Sequence, residues 1–144
     1  MDAYFDSGVI VKLYVQEANS ADAIRLVTGH EAPYALTGWQ ALEVRNAIRL
    51  KAFRGEITPA AMTQSIAALE QDSVAGRWVR PGYTVADVEQ KAEELSASHA
   101  AVLGCRTLDT IHVAAALVVG TKDFVTLDHR QAALAKAAGL TVKP

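Results

Sequence analysis

A chain of 144 residues with 51% apolar and 21% charged residues is long enough to bury one hydrophobic core and too short for two ordinary domains. That composition excludes a disordered chain, and a formal net charge of -2 excludes a general, charge-driven affinity for polyanions unless basic residues gather locally. A single cysteine, Cys105, excludes an internal disulfide and, with no Cys or His cluster at ligand spacing, a zinc site.

In chain order, Ala3–Phe5 reads as the first short strand and residues 33–36 as the second. Thr37 and Gln40 stand in capping-box spacing ahead of a helix over Gly38–Phe53, in which Ala41, Val44, Ile48 and Ala52 recur at helical intervals. Thr58 and Pro59 open the next helix, with Met62, Ile66 and Leu69 on its apolar face. Residues 78–80 form a third strand, and Thr84 with Asp87 begins a helix through Val88, Ala92 and Leu95. Thr107 is expected to cap a helix through Ile111, Ala115 and Leu117. Residues 124–127 then form a strand, Asp128 caps a helix over 129–138 that stops at Gly139, and residues 140–142 close the chain as a strand.

Strands alternating with helices predict a single α/β domain over 1–144, a three-layer α/β/α arrangement with a central parallel sheet of about five strands. The acidic N-terminus lacks the basic residues of a signal peptide, and the apolar run 113–119 is too short to cross a bilayer. The expectation is a cytoplasmic protein without membrane association.

Ligands of open α/β sheets sit beyond the carboxyl ends of the strands, and four carboxylates point there. Asp6 follows the first strand, Asp128 follows the fourth, Asp109 lies in the first turn of its helix, and Glu43 lies about one turn into the helix after the second strand. Asp2 and Asp123 begin their strands and belong to the opposite edge, roughly 13 to 16 Å away. Taken singly, Asp6, Asp109 and Asp128 each read first as helix caps, and Glu43 as a solvated helix residue. Taken together, clustered carboxylates repel one another unless a cation neutralises them, and an all-oxygen ligand set suits magnesium or manganese. That combination points to phosphodiester chemistry. The helix that carries Glu43 also carries Arg45, Arg49, Lys51 and Arg54, a local basic surface available to phosphates or simply solvated.

The segment Tyr4-Phe5-Asp6-Ser7-Gly8-Val9-Ile10-Val11-Lys12-Leu13-Tyr14 resembles the opening strand and turn of PIN domains, especially the VapC-like toxins of bacterial toxin-antitoxin pairs. Ala41-Leu42-Glu43-Val44 resembles the family's internal glutamate helix, and Arg106-Thr107-Leu108-Asp109-Thr110-Ile111-His112 its second aspartate helix. Phe124-Val125-Thr126-Leu127-Asp128, with Ala132-Ala133 and Gly139-Leu140 after it, completes the set across nearly the whole chain. Gly8 departs from the pattern, because the family more often has a small polar residue there.

The resemblance implies an endoribonuclease that takes Mg2+ or Mn2+, with the metal held chiefly by Asp6 and Asp109 and the acidic pocket completed by Glu43 and Asp128. It implies hydrolysis by water activated at the cation, with Ser7 and Thr126 as hydrogen-bonding neighbours of the carboxylates or simply a helix-start hydroxyl and a strand threonine, and with Arg106 orienting a carboxylate, contacting phosphate or forming a structural ion pair. The charge pattern, separately, offers Arg45 and Arg49, one turn apart on one face, as RNA contacts. The partners implied by the resemblance are RNA, a small cognate antitoxin protein and a second copy of the chain in a homodimer. His112, three residues after Asp109, reads as a buried histidine rather than a ligand. Two rivals share these residues. An aspartyl phosphotransferase of the haloacid-dehalogenase type wants an acid two residues after Asp6 and finds Gly8. A degenerate PIN-like module would bind metal or RNA in the pocket without hydrolysing it.

Overall fold

Ala3, Tyr4 and Phe5 form a strand whose side chains alternate between two hydrophobic cores, as strand geometry requires. In the computed structural model, which describes residues 1–143, this strand β1 (Ala3–Phe5) pairs in parallel with β4 (Asp123–Val125), which pairs in parallel with β5 (Thr141–Lys143). Between them run α1 (Ser7–Tyr14), α2 (Ser20–Thr28), β2 (Tyr34–Ala35), α3 (Gly38–Phe53), α4 (Pro59–Val74), β3 (Trp78–Val79) and α5 (Val85–Leu95). A π-helical segment (Ser96–Ala100) and a short α6 (Ala101–Leu103) lead to α7 (Thr107–Val119), and α8 (His129–Ala137) separates β4 from β5. The chain is α/β and mostly helical.

The core on one face gathers Phe5, Val9, Ile10, Val44, Ile48, Leu69 and Trp78, so α1, α3 and α4 pack there. The other gathers Tyr4, Val88, Val113, Phe124 and Leu134, from α5, α7 and α8. Phe5 meets Tyr34 and Trp78 edge-on, with ring centroids 5.3 Å and 6.1 Å away. Tyr4 stacks on Phe124 at 5.5 Å.

The single five-stranded sheet expected from the sequence is instead a three-stranded sheet and a separate parallel pair, β2 with β3. The reason lies on the free edge of β1. Asp6 donates its N–H to the Val125 carbonyl at 2.8 Å, so the preceding Phe5 carbonyl faces away from β4, towards β2. The buried Gln40 side chain takes that carbonyl through Nε2 at 2.7 Å, where a neighbouring strand would have donated.

Most element starts follow the local chemistry. Thr37 Oγ1 accepts from the Gln40 N–H and Gln40 Oε1 accepts from the Thr37 N–H at 2.6 Å, the expected reciprocal box. Thr58 and Thr84 cap α4 and α5. Asp128 caps α8, as expected, by accepting from the N–H groups of Arg130 and Gln131. Thr107 does not cap α7: Arg106 occupies the cap position, and the Asp109 carboxylate reaches back to its N–H at 2.8 Å. The fourth strand also ends two residues before the expected limit, at Val125. Among the described residues, no helix is long and apolar enough to cross a membrane.

Candidate active site

Asp6, Glu43, Asp109 and Asp128 line one cavity of about 470 Å³, together with Gly8, Arg106, Thr107, Leu108 and Gln131. Each acid arrives by a different route. Asp6 leaves the carboxyl end of β1; its backbone carbonyl accepts from Val9 and Ile10 to start α1, while its side chain makes no capping bond. Glu43 is one turn beyond Gln40, and the Gln40 bond to Phe5 fastens that turn of α3 to the end of β1. Asp109 is held at the third position of α7 by the Arg106 N–H, with the Arg106 Nε at 3.5 Å. Asp128 enters from the end of β4, its N–H donating to Thr126 Oγ1 at 3.0 Å. Asp2 and Asp123 stand at the other end: the Asp2 carbonyl accepts from the Lys122 and Asp123 N–H groups, and Ala3 pairs in register with Asp123.

The four acids share a cavity without forming a closed ligand cage. Among the described residues, no three His, Cys, Asp or Glu side chains converge closely enough to hold one ion between them. Asp6 and Asp109 are 8% and 1% exposed, while Glu43 and Asp128 are partly open to solvent.

Electrostatics separates Asp6 from Glu43. Burial pushes the Asp6 carboxyl above the usual carboxylate range; a charge on His112 would oppose this, the Glu43 charge adds to it, and the Gln131 side chain and Gly8 N–H favour the ion. Glu43 is held below its usual range, first by its hydrogen bond from His112, against partial burial, and also by Ser7 and the charge of Arg106.

Three residues outside the predicted acidic set complete the surroundings. His112 is fully buried and bonds Glu43 Oε2 through Nε2 and the Tyr4 hydroxyl through Nδ1 at 2.9 Å. Gln131, 6% exposed, lines the cavity with a buried Oε1 that has no hydrogen-bond partner. Gly8 leaves open the space beside Asp6, since a Cβ there would lie 3.1 Å from Asp6 Oδ2. The signal for His112 was its i+3 spacing from Asp109, and for Gln131 its place in the first turn after Asp128; neither spacing alone identifies a partner.

Of the other sequence candidates, Ser7 donates to Glu43 Oε2 at 3.1 Å, Thr126 supports the Asp128 backbone, and Arg106 stands at the rim with its side chain 63% exposed. Arg45 and Arg49 are not brought to the cavity. Arg45 is two residues from Glu43, roughly 200° around the helix, and faces Glu70 with Nε 4.0 Å from Oε1. Lys51 and Arg54 pair with Glu56, and Lys51 also with Glu17.

The residues present fit a hydrated divalent cation. The acids and the unpartnered Gln131 oxygen make the lining rich in hydrogen-bond acceptors, with the Arg106 guanidinium at the rim and open space beside Gly8, which suits water molecules on a cation. No family model matches the chain, and a comparison with curated proteins finds no match.

Proposed function

We propose that this chain is a metal-dependent endoribonuclease of three-layer, PIN-like architecture that hydrolyses phosphodiester bonds in RNA with magnesium or manganese. The observation that carries the reading is the gathering of Asp6, Glu43, Asp109 and Asp128, from four separate elements, around one cavity at the carboxyl ends of β1 and β4. The two apolar cores on opposite sides of the sheet support the layered architecture.

Asp6 and Asp109 are the proposed ligands, and Glu43 and Asp128 complete the acidic lining. The absence of a three-acid cage is compatible with this assignment, because magnesium commonly binds through one or two carboxylates and keeps several waters. When bound, the cation supplies an activated water and neutralises charge developing on the phosphate. Ser7 and His112 fix the Glu43 carboxylate, the Arg106 N–H fixes Asp109, and Arg106 at the rim offers a guanidinium to an RNA phosphate. Arg45 and Arg49 would contact only RNA that continues past the cavity along α3.

The same reading assigns the chain to the toxin of a toxin-antitoxin pair, a cytoplasmic homodimer covered by a small antitoxin. Its support is the sequence resemblance together with Leu42 and Leu108, 65% and 50% exposed, the first beside Glu43 and the second in the cavity wall. Co-purification with the product of an adjacent small gene tests this part; a chain that purifies alone and monomeric contradicts it.

A second reading, a module that binds a cation without hydrolysis, is favoured by the open spacing of the acids. Incubating purified protein with RNA in manganese or in chelator, and sequencing the new ends, separates the two. The nuclease reading expects metal-dependent internal cuts that Asp6→Asn loses. Intact RNA despite manganese binding supports the second reading.

A further inference from the structure

We infer that His112 is a positioning residue for Glu43, locked into one tautomer by Tyr4 and Thr37. The inference deepens the nuclease reading and rests on it for its functional consequence, whereas the tautomer follows from hydrogen-bond accounting alone.

The hydrogen bonds run outward from the buried end. Thr37 Oγ1 accepts the Gln40 N–H at 3.3 Å and lies 3.3 Å from the Tyr4 hydroxyl. A threonine hydroxyl has one proton to donate, and the Tyr4 oxygen is the acceptor within reach. Tyr4 must then place its own proton elsewhere, and His112 Nδ1 stands 2.9 Å away. A bare Nδ1 leaves the ring proton on Nε2, which faces Glu43 Oε2. Glu43, as a carboxylate, accepts it, together with the Ser7 hydroxyl at 3.1 Å.

Every donor in the series Thr37, Tyr4, His112, Glu43 thus has an acceptor. Placing a proton on Nδ1 would make Tyr4 accept from the ring and strand either its own proton or that of Thr37 in a fully buried site. Both bonds to Glu43 fall on Oε2, so Oε1 is the oxygen left for the cavity. The helix residue therefore acquires a fixed carboxylate from a partner 69 positions away in the chain.

The test reads the ring directly. Long-range proton-nitrogen correlation of 15N-histidine-labelled protein, assigned by loss of the His112 signals in His112→Gln, is expected to show a bare Nδ1 and a protonated Nε2. Tyr4→Phe should move the Nδ1 resonance further towards the unbonded position. A proton on Nδ1, or a Tyr4→Phe spectrum unchanged at His112, overturns the lock.

The functional half compares His112→Gln, whose amide can still donate towards Glu43, with His112→Leu, which fills the space without a donor. Manganese affinity and RNA cleavage should fall about 10- to 100-fold in Leu and be largely rescued in Gln. Equal losses in two folded variants would reduce His112 to packing and overturn the positioning role. If His112→Leu fails to fold, Ser7→Ala and Tyr4→Phe against wild type in the same two assays decide, and wild-type values in both overturn it. If wild type itself neither binds manganese nor cuts RNA, the nuclease reading fails while the tautomer result stands on its own.

Discussion

Asp6 lies 8% exposed at the start of α1, and its side chain makes no capping hydrogen bond there. Burial raises its pKa above the usual carboxylate range, with the Glu43 charge adding to the effect. A raised folded-state pKa means that the folded chain holds this proton more tightly than the unfolded chain does. The resulting stability is full below the ordinary carboxylate pKa and is lost as pH rises through the raised value. Asp6→Asn is accordingly expected to raise the Tm of metal-free protein at neutral pH and to leave it nearly unchanged at about pH 3, where both states are protonated. Thermal scans at the two pH values check this; an equal or lower Tm at neutral pH contradicts it. The same variant should lose RNA cleavage by about 100-fold or more, as should Asp109→Asn. Asp6 was legible in the sequence because it directly follows a three-residue apolar strand. His112 was not legible as a partner of Glu43, because the residues it joins lie 69 and 108 positions away and share no local pattern with it.

Elements start where their capping chemistry allows, which is why Gly38–Phe53 could be read at both ends: a Thr37/Gln40 box opens it and Gly55, at φ 73°, lies just past its close. The second task of Gln40, donating to the Phe5 carbonyl, had no sequence signature. Gln40→Leu leaves that buried carbonyl and the Thr37 N–H without partners, and is expected to lower stability by about 2 kcal/mol or more in urea denaturation, with Glu43 displaced and cleavage reduced as well. At the other helix start, Asp128 serves as a cap whatever else it does. Asp128→Ser keeps a capping oxygen, whereas Asp128→Ala removes it and should cost about 1 kcal/mol. If Asp128 also belongs to the acidic site, Ser and Ala variants will differ in stability yet lose manganese affinity alike. A Ser variant with wild-type affinity confines Asp128 to capping.

Across the whole molecule, the parallel arrangement of β1, β4 and β5 brings the ends of two strands and the starts of two further helices to one side, and the acids follow from that geometry. Sequence spacing placed those acids near one edge, but not the division of the strands into three and two, because the choice between a neighbouring strand and the Gln40 side chain is made by tertiary packing. Nor did a basic run on α3 imply a basic cavity: helical rotation turns Arg45 towards Glu70. On the proposed function, the acidic cavity binds one hydrated divalent cation through Asp6 and Asp109. Calorimetric titration of metal-free protein with manganese at neutral pH decides this. One site per chain is expected, with proton release seen as an observed heat that varies with the ionisation enthalpy of the buffer, and loss of that site in both Asp6→Asn and Asp109→Asn. No binding in the millimolar range, or binding that survives both substitutions, would contradict it.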